Sequence, residues 1–282
     1  MRVNDICAEC LYDKQMHLSD DRRYLEEVRR IIEERREEDT APYLVYLFDK
    51  EYVRLFGKTA PYAAIKKNFN DLVLSMESLL RDKIESSDDP LGQALLYARI
   101  GNYIDFGAMN HVDEETFLGL FDNPGFSEHD RLVLDSFLLQ CAAARRFLLI
   151  ADNCGEIVLD RLFLEQLKKR FPDLELTVLV RGGEVLNDAV IEDAVYAGIP
   201  QIARLISSGN TVAGTVYEML SDEAKEALDH ADVILAKGQG NYESLCMQGR
   251  HVFYSFLCKC DLFTGRFGVP RLTGMLVEEK AE

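Results

Sequence analysis

Five short apolar runs, at residues 147–151, 176–180, 203–206, 232–236 and 251–257, dominate the second half of the chain, and helical pattern separates most of them. Each is short enough for a buried strand, and most are followed by a polar, Gly-containing segment. Strands that alternate with helices are joined by crossovers long enough to set them parallel. Residues 141–282 are therefore predicted to form a three-layer α/β/α unit around a mostly parallel sheet. Helices are predicted at residues 157–170 and 216–230 within it. The first 140 residues read as all-helical. Residues 22–38 are almost entirely charged, with Leu25, Val28, Ile31 and Ile32 on one apolar stripe at helical spacing. Residues 43–55, 66–86 and 91–100 continue in that manner, with a break at Ser86-Ser-Asp-Asp-Pro90. This region, residues 1–140, is expected to serve as a scaffold or cap on a catalytic unit at 141–282.

Charge narrows the partners. The chain carries 32 Lys and Arg against 49 Asp and Glu, a net charge of −17, which argues against nucleic acid. A small phosphorylated substrate stays compatible if a metal ion and a few cations reverse the field locally. A hydrophobic fraction of 48% with 29% charged residues excludes a disordered chain. No apolar run approaches the roughly 18 residues that span a bilayer, and the first residues lack the apolar core of a signal peptide. A cytoplasmic protein without a membrane partner is expected. Seven cysteines fit a reducing compartment with free or metal-bound thiols.

In open α/β sheets ligands bind beyond the carboxyl ends of the strands, so the segments after each run are where chemistry is to be sought. They are Asp152-Asn153-Cys154-Gly155-Glu156, Arg181-Gly-Gly183 with Asn187-Asp188, Ser207-Ser208-Gly209-Asn210, and Lys237-Gly-Gln-Gly-Asn241-Tyr-Glu243. Asp152 and Asp188 supply carboxylates and Asn153 an amide carbonyl. These are hard oxygen ligands from two loops, suited to Mg²⁺, Mn²⁺ or a similar ion. Lys237 is a point charge for a phosphate, and Gly-rich turns expose backbone N–H groups to anions. A blander reading has Asp152 or Asn153 merely capping the following helix. Four such strand ends in succession favour a site. Without a partner its carboxylates repel one another, so neutralising Asp188 is expected to stabilise the metal-free chain slightly.

These segments resemble the damage-control phosphatases, a family first catalogued as domain of unknown function 89. The likeness extends to Gly101-Asn102-Tyr-Ile-Asp105, to Cys7-Ala-Glu-Cys10 and to Lys259-Cys260, and so covers nearly the whole chain. Cys-x-x-Cys, Gly-Asn-Tyr-Glu and Lys-Cys mark its stand-alone microbial branch. The resemblance implies a phosphatase acting on small phosphorylated metabolites, sugar phosphates or damaged cofactor intermediates, with Mn²⁺, Co²⁺, Ni²⁺ or Mg²⁺. It implies metal ligands at Asp152, Asn153 and Asp188, and phosphate binding around Lys237 and Asn241. Arg181, Ser208 and Gly209 are further candidate substrate contacts. Asn102 and Asp105 are candidates for supporting or sugar contacts, and Glu156 for a substrate contact or general acid/base. Attack by water and an aspartyl-phosphate at Asp152 both remain open. The rivals are a carboxyl methyltransferase and a non-enzymatic metal- or nucleotide-binding module.

Cys7 and Cys10 lie one helical turn apart, and Cys258 and Cys260 stand close to the other end of the chain. If the ends meet, the four make a Cys₄ zinc site; otherwise Cys7 and Cys10 form a redox pair, or all pack.

Overall fold

The computed structural model describes residues 1–57, 62–104, 114–122 and 124–281. The helical region contains α1 (Asp5–Leu18), α2 (Arg22–Glu33), α3 (Ala41–Phe56), α4 (Ala63–Glu85), α5 (Pro90–Gly101), α6 (Glu114–Gly119) and α7 (Glu128–Ala143). There follow β1 (Arg146–Ile150), α8 (Glu156–Arg170), β2 (Glu175–Val180), α9 (Ile191–Tyr196), β3 (Arg204–Ser207), α10 (Asp222–His230), β4 (Val233–Lys237), α11 (Gln239–Leu245), β5 (Val252–Leu257), α12 (Asp261–Phe267) and β6 (Gly274–Glu279).

Among the described residues six strands form one sheet in the order β3-β2-β1-β4-β5-β6. Every pairing is parallel except β5 with β6. The five apolar runs are β1 to β5, as expected. β6 is additional: its apolar stretch is only Met275-Leu-Val277, too short to stand out in the sequence. Strand order reverses at β1, which has β2 on one side and β4 on the other, and a crevice opens at the carboxyl ends of such a pair.

Side chains alternate across the sheet and separate two cores. Phe147, Leu149, Val178, Leu235 and Phe253 pack with α4, α5, α7 and α8 on one face. Leu148, Ile150, Leu179, Ile234, Tyr254 and Phe256 pack with α10, α11 and α12 on the other. Tyr24, Val28, Leu44 and Phe48 gather α1, α2 and α3 into a satellite cluster. The C-terminal end of α5 lies directly on the start of α8. A Cβ at Gly101 would stand 2.9 Å from the Glu156 Cα, so glycine permits the contact that delivers Asn102 to the strand ends.

Two helix expectations change. Residues 22–38 stop being helical after Glu33, because the Asp39 carboxylate accepts the Arg36 N–H at 2.9 Å and stabilises a turn. The helix expected over 216–230 is a short 3₁₀ turn, Tyr217–Met219, followed by α10. Ser221 divides them, its hydroxyl accepting the Ala224 N–H at 3.2 Å as an N-cap.

Candidate active site

The loops after β1 and β2 are joined through their main chains. Asn153 and Asp188 form an antiparallel bridge, the Ala189 N–H donates to Asp152 O at 2.7 Å, and the Cys154 N–H donates to Asn187 O at 2.8 Å. Those contacts bring together residues 33 to 37 positions apart. Gly155 stands at the N-cap of α8 without a side-chain cap, so Asp152 and Asn153 do not cap that helix through their side chains. The capping alternative is thereby answered.

Arg181 ties the two carboxylates together. Its Nε donates to Asp188 Oδ2 at 2.7 Å, and its Nη2 faces Asp152 Oδ1 at 3.5 Å. Nη1 donates to Gly214 O at 3.0 Å and to Asn241 Oδ1 at 3.1 Å. Asn241 in turn donates from Nδ2 to Ala151 O and Lys237 O, at 3.1 and 2.7 Å, and so fastens the end of β1 to that of β4. Asp152 and Asp188 converge on a single cation in a setting where an unneutralised pair would be costly.

Beneath Asp152 lies a second layer. Asn102 Nδ2 donates to Asp152 Oδ2 at 2.9 Å and to Glu156 Oε2 at 3.1 Å, while its Oδ1 accepts the Leu257 N–H at 3.1 Å. Lys237 Nζ donates to Glu156 Oε1 at 2.6 Å, Asp160 Oδ1 at 2.8 Å and Ala98 O at 3.0 Å. Burial works against the ammonium, but Asp160 and Glu156 outweigh it and hold Lys237 above its ordinary pKa. Burial also raises the Asp160 carboxyl, to about 7, with Lys237 opposing the rise.

These contacts revise two expectations. All three protons of the Lys237 ammonium have protein acceptors and the side chain is fully buried, so it does not present itself to a phosphate. Glu156, equally buried, is saturated by protein donors and is not poised as an acid or base. Asp152 and Asp188 retain 6% and 4% of their surface against 0% for Asn102, Glu156, Lys237 and Asn241, so an incoming ligand meets the carboxylates first. Ser208 and Gly209 form the neighbouring turn. The Ser208 hydroxyl donates to Asn210 O at 3.1 Å, and the Gly182 N–H donates to that same carbonyl at 2.8 Å. Asp105 lies outside the described residues.

Other contributors were given no role from the sequence: Asn187 stood in the Asn187-Asp188 motif, and Asn70 and Lys66 went unnoticed. Asn187 Nδ2 donates to Asn153 Oδ1 at 3.0 Å and to Ile104 O at 2.7 Å. From α4, Asn70 Oδ1 accepts the Gly155 N–H at 2.6 Å and its Nδ2 reaches Asp193 at 3.0 Å. Lys66 pairs with Asp193 at 2.6 Å. A signal existed: Lys66 and Asn70 continue the helical stripe of Val73, Leu80 and Ile84, and all five are buried. Polar residues on a core-facing stripe need buried partners.

The four cysteines are not arranged as a zinc cluster, one of the alternatives that their spacing left open. Among the described residues no group of three or more His, Cys, Asp or Glu side chains is arranged to hold a metal. Asp152 and Asp188 are two such side chains, and Asn153 is bridged to Asp188 through the main chain. Cys7 lies near both Cys10 and Cys260, and Cys260 near Cys258, so the two ends of the chain do meet. Yet Cys10 is exposed and Cys258 buried, and the thiols are not arranged to share an ion. Burial first, then Glu243 and the neighbouring Cys260 and Cys10, push the Cys7 thiol up to about 12. Because reaction needs the thiolate and access, a water-soluble disulfide reagent at pH 8 should modify Cys10 first. Cys141 and Cys154, both buried with raised pKa values, should react only on unfolding. Peptide mass mapping reads the order, and early labelling of Cys154 in folded protein would contradict the closed loop.

The family profile described as the damage-control phosphatase ARMT1-like domain matches residues 2–273. A damage-control phosphatase of Archaeoglobus fulgidus is 28% identical over 281 residues, covering 95% of this chain and 96% of that protein. Another, from Pyrococcus horikoshii, is 27% identical over 225 residues, covering 78% and 75%. The crystal structure of a Pyrococcus horikoshii protein of the domain-of-unknown-function-89 family matches with a TM-score of 0.80 at 24% identity, covering 100% of both chains. At that identity the likeness speaks for the fold.

Proposed function

Because the chain belongs to the damage-control phosphatase ARMT1-like family, we propose that it is a divalent-metal-dependent phosphatase that hydrolyses phosphate monoesters of small metabolites. The observation that carries this reading is the convergence of Asp152 and Asp188, from the loops of two adjacent strands, on one buried cationic group. The donor chemistry fits a divalent ion: two carboxylates and an amide oxygen, all hard ligands, with Asn153 bridged to Asp188 through the main chain. Asp152, Asn153 and Asp188 would hold Mn²⁺, Co²⁺, Ni²⁺ or Mg²⁺. When bound, such an ion offsets the negative charge that gathers on phosphoryl oxygens during transfer.

The protein's own groups do the rest. Arg181 borders the carboxylates; with Nε and Nη1 engaged by Asp188, Gly214 and Asn241, which fix its orientation, Nη2 is the end it offers to a phosphate oxygen. Both Asp152 oxygens are engaged, Oδ2 by two amide groups and Oδ1 by Arg181, which favours water over Asp152 as the nucleophile. The P–O bond to the metabolite breaks as water adds, yielding an alcohol and inorganic phosphate. Sugar phosphates and phosphorylated cofactor fragments are the substrate classes we favour. The Ser208-Gly209 turn, beside Gly182, belongs to the substrate-facing rim, with Gly182 and Gly209 both exposed.

Chelation is the test. Protein stripped of metal should release no phosphate from a metabolite panel, and adding back Mn²⁺, Co²⁺, Ni²⁺ or Mg²⁺ should restore release. Full activity in verified metal-free protein would remove the metal from the reaction. Uptake of Mn²⁺ with no ester turned over would leave a binding module instead.

A further inference from the structure

Glu156 receives more donors than a structural role requires. Lys237 Nζ donates to Oε1 at 2.6 Å. Three N–H groups then meet at Oε2: Asn102 Nδ2 at 3.1 Å, Asn153 Nδ2 at 3.1 Å and the Asn153 main chain at 3.3 Å. Capping the start of α8 would account for the Asn153 main-chain bond alone. The side-chain bonds have a separate consequence. Asn153 Nδ2 stands between Glu156 Oε2 and Asp152 Oδ2, the latter at 2.7 Å. Only the NH₂ end of an amide can satisfy two carboxylate oxygens, so the two acids fix the Asn153 flip. Its Oδ1 is thereby the end that neither acid claims, and it accepts from Asn187 Nδ2 at 3.0 Å. A cation is ligated by that oxygen and repelled by the amide protons.

We infer that Glu156 is a positioning residue that, together with Asp152, determines which end of the Asn153 amide is offered to a cation, and that Lys237 anchors Glu156 instead of binding phosphate. The inference rests on the phosphatase reading in one respect, that Asn153 is a ligand. Asp160 has a lesser part. It balances the charge of Lys237, its Oδ2 has no hydrogen-bond partner, and it makes no bond to Asn102 or Asn153. Glu156 and Asp160 are thus two equally buried partners of one lysine, and only Glu156 touches the ligand layer. That difference separates positioning from simple support.

The experiment titrates Mn²⁺ calorimetrically into metal-free wild type, Glu156→Gln, Glu156→Asp and Asp160→Asn, without substrate and below each melting transition. Glu156→Gln places an NH₂ where an acceptor is needed, and Glu156→Asp keeps the charge for Lys237 but withdraws the carboxylate by one methylene. Each should weaken Mn²⁺ binding about 10–100-fold, the usual effect of losing a group that orients a metal ligand. Asp160→Asn should melt earlier yet retain wild-type affinity. Should the glutamine variant fail to fold, the aspartate variant decides. Wild-type affinity in a folded Glu156 variant, or an equal loss in Asp160→Asn, overturns the inference while the phosphatase reading stands. Wild-type protein that takes up no divalent ion removes the phosphatase reading and this inference with it.

Discussion

Asp188→Asn is expected to give a folded protein that binds Mn²⁺ poorly and turns over phosphate esters about a thousandfold more slowly. The substitution preserves shape but removes one of the two anionic ligands proposed for the metal. Losing transition-state charge stabilisation of about 4 kcal/mol corresponds to roughly three orders of magnitude in rate. The metal-free protein should also lose stability, contrary to the gain that carboxylate repulsion alone would give. Arg181 is the reason: it is 1% exposed and Asp188 is its nearest charged partner, at 2.7 Å. Breaking a buried pair from one side costs about 3–5 kcal/mol. Because Arg181 keeps Asp152, Gly214 O and Asn241, a loss of about 1–3 kcal/mol is expected, of the order of one charged hydrogen bond. Calorimetric Mn²⁺ titration, phosphate release and thermal melting read the three effects. Unchanged metal binding and turnover would move the site elsewhere.

The contrast between Asp188 and Lys237 marks how far sequence reading reaches. Strands β1 to β5 were legible because each is an apolar run of strand length within a repeating strand-helix rhythm. Their carboxyl ends could then be searched without a structure, and Asp152, Asn153, Arg181, Asp188 and Asn241 do meet there. Depth was not legible. A lysine at the end of β4 reads as a free cation until the position of α8 is known. Asp160 lies four residues beyond Glu156, one turn along that helix and on the same face, so the helix turns both acids toward Lys237. Sequence spacing contains the pairing of the two acids with each other, but not the strand they will face. Asn70 was hidden differently. It belongs to a helix remote in sequence, and only the docking of α4 on α8 brings it to Gly155. The Cys pairs were the reverse case: spacing left a shared ion, a redox pair and packing open. Although the pairs do come near each other, Cys10 is exposed, Cys258 is buried and the thiols are not arranged around one ion.

Lys237→Met should produce the largest stability loss of any substitution discussed, about 3–5 kcal/mol, because it strands two carboxylates at 0% exposure. Against a typical stability of roughly 5–15 kcal/mol, this brings the variant close to unfolding. Methionine retains most of the volume, so the loss measures charge and not a cavity. Its dependence on pH identifies the cause. Burial already pushes Asp160 up to about 7 with the ammonium beside it, and removing Lys237 removes the influence that opposes the rise. An acid whose folded pKa lies above its unfolded value binds more protons when folded. Its contribution to stability is full below the unfolded value and is lost as pH rises through the folded one. The deficit of Lys237→Met should therefore be smallest near pH 6, where Asp160 is protonated in both proteins. It should grow as pH rises from about 7 toward 9, where Asp160 ionises beside the ammonium in wild type but resists ionising in the variant. Urea unfolding of wild type and variant across that range gives the difference directly. A deficit that stays constant with pH would mean that Lys237 supports the fold through packing, and the ion-pair account of the layer beneath Asp152 would fail.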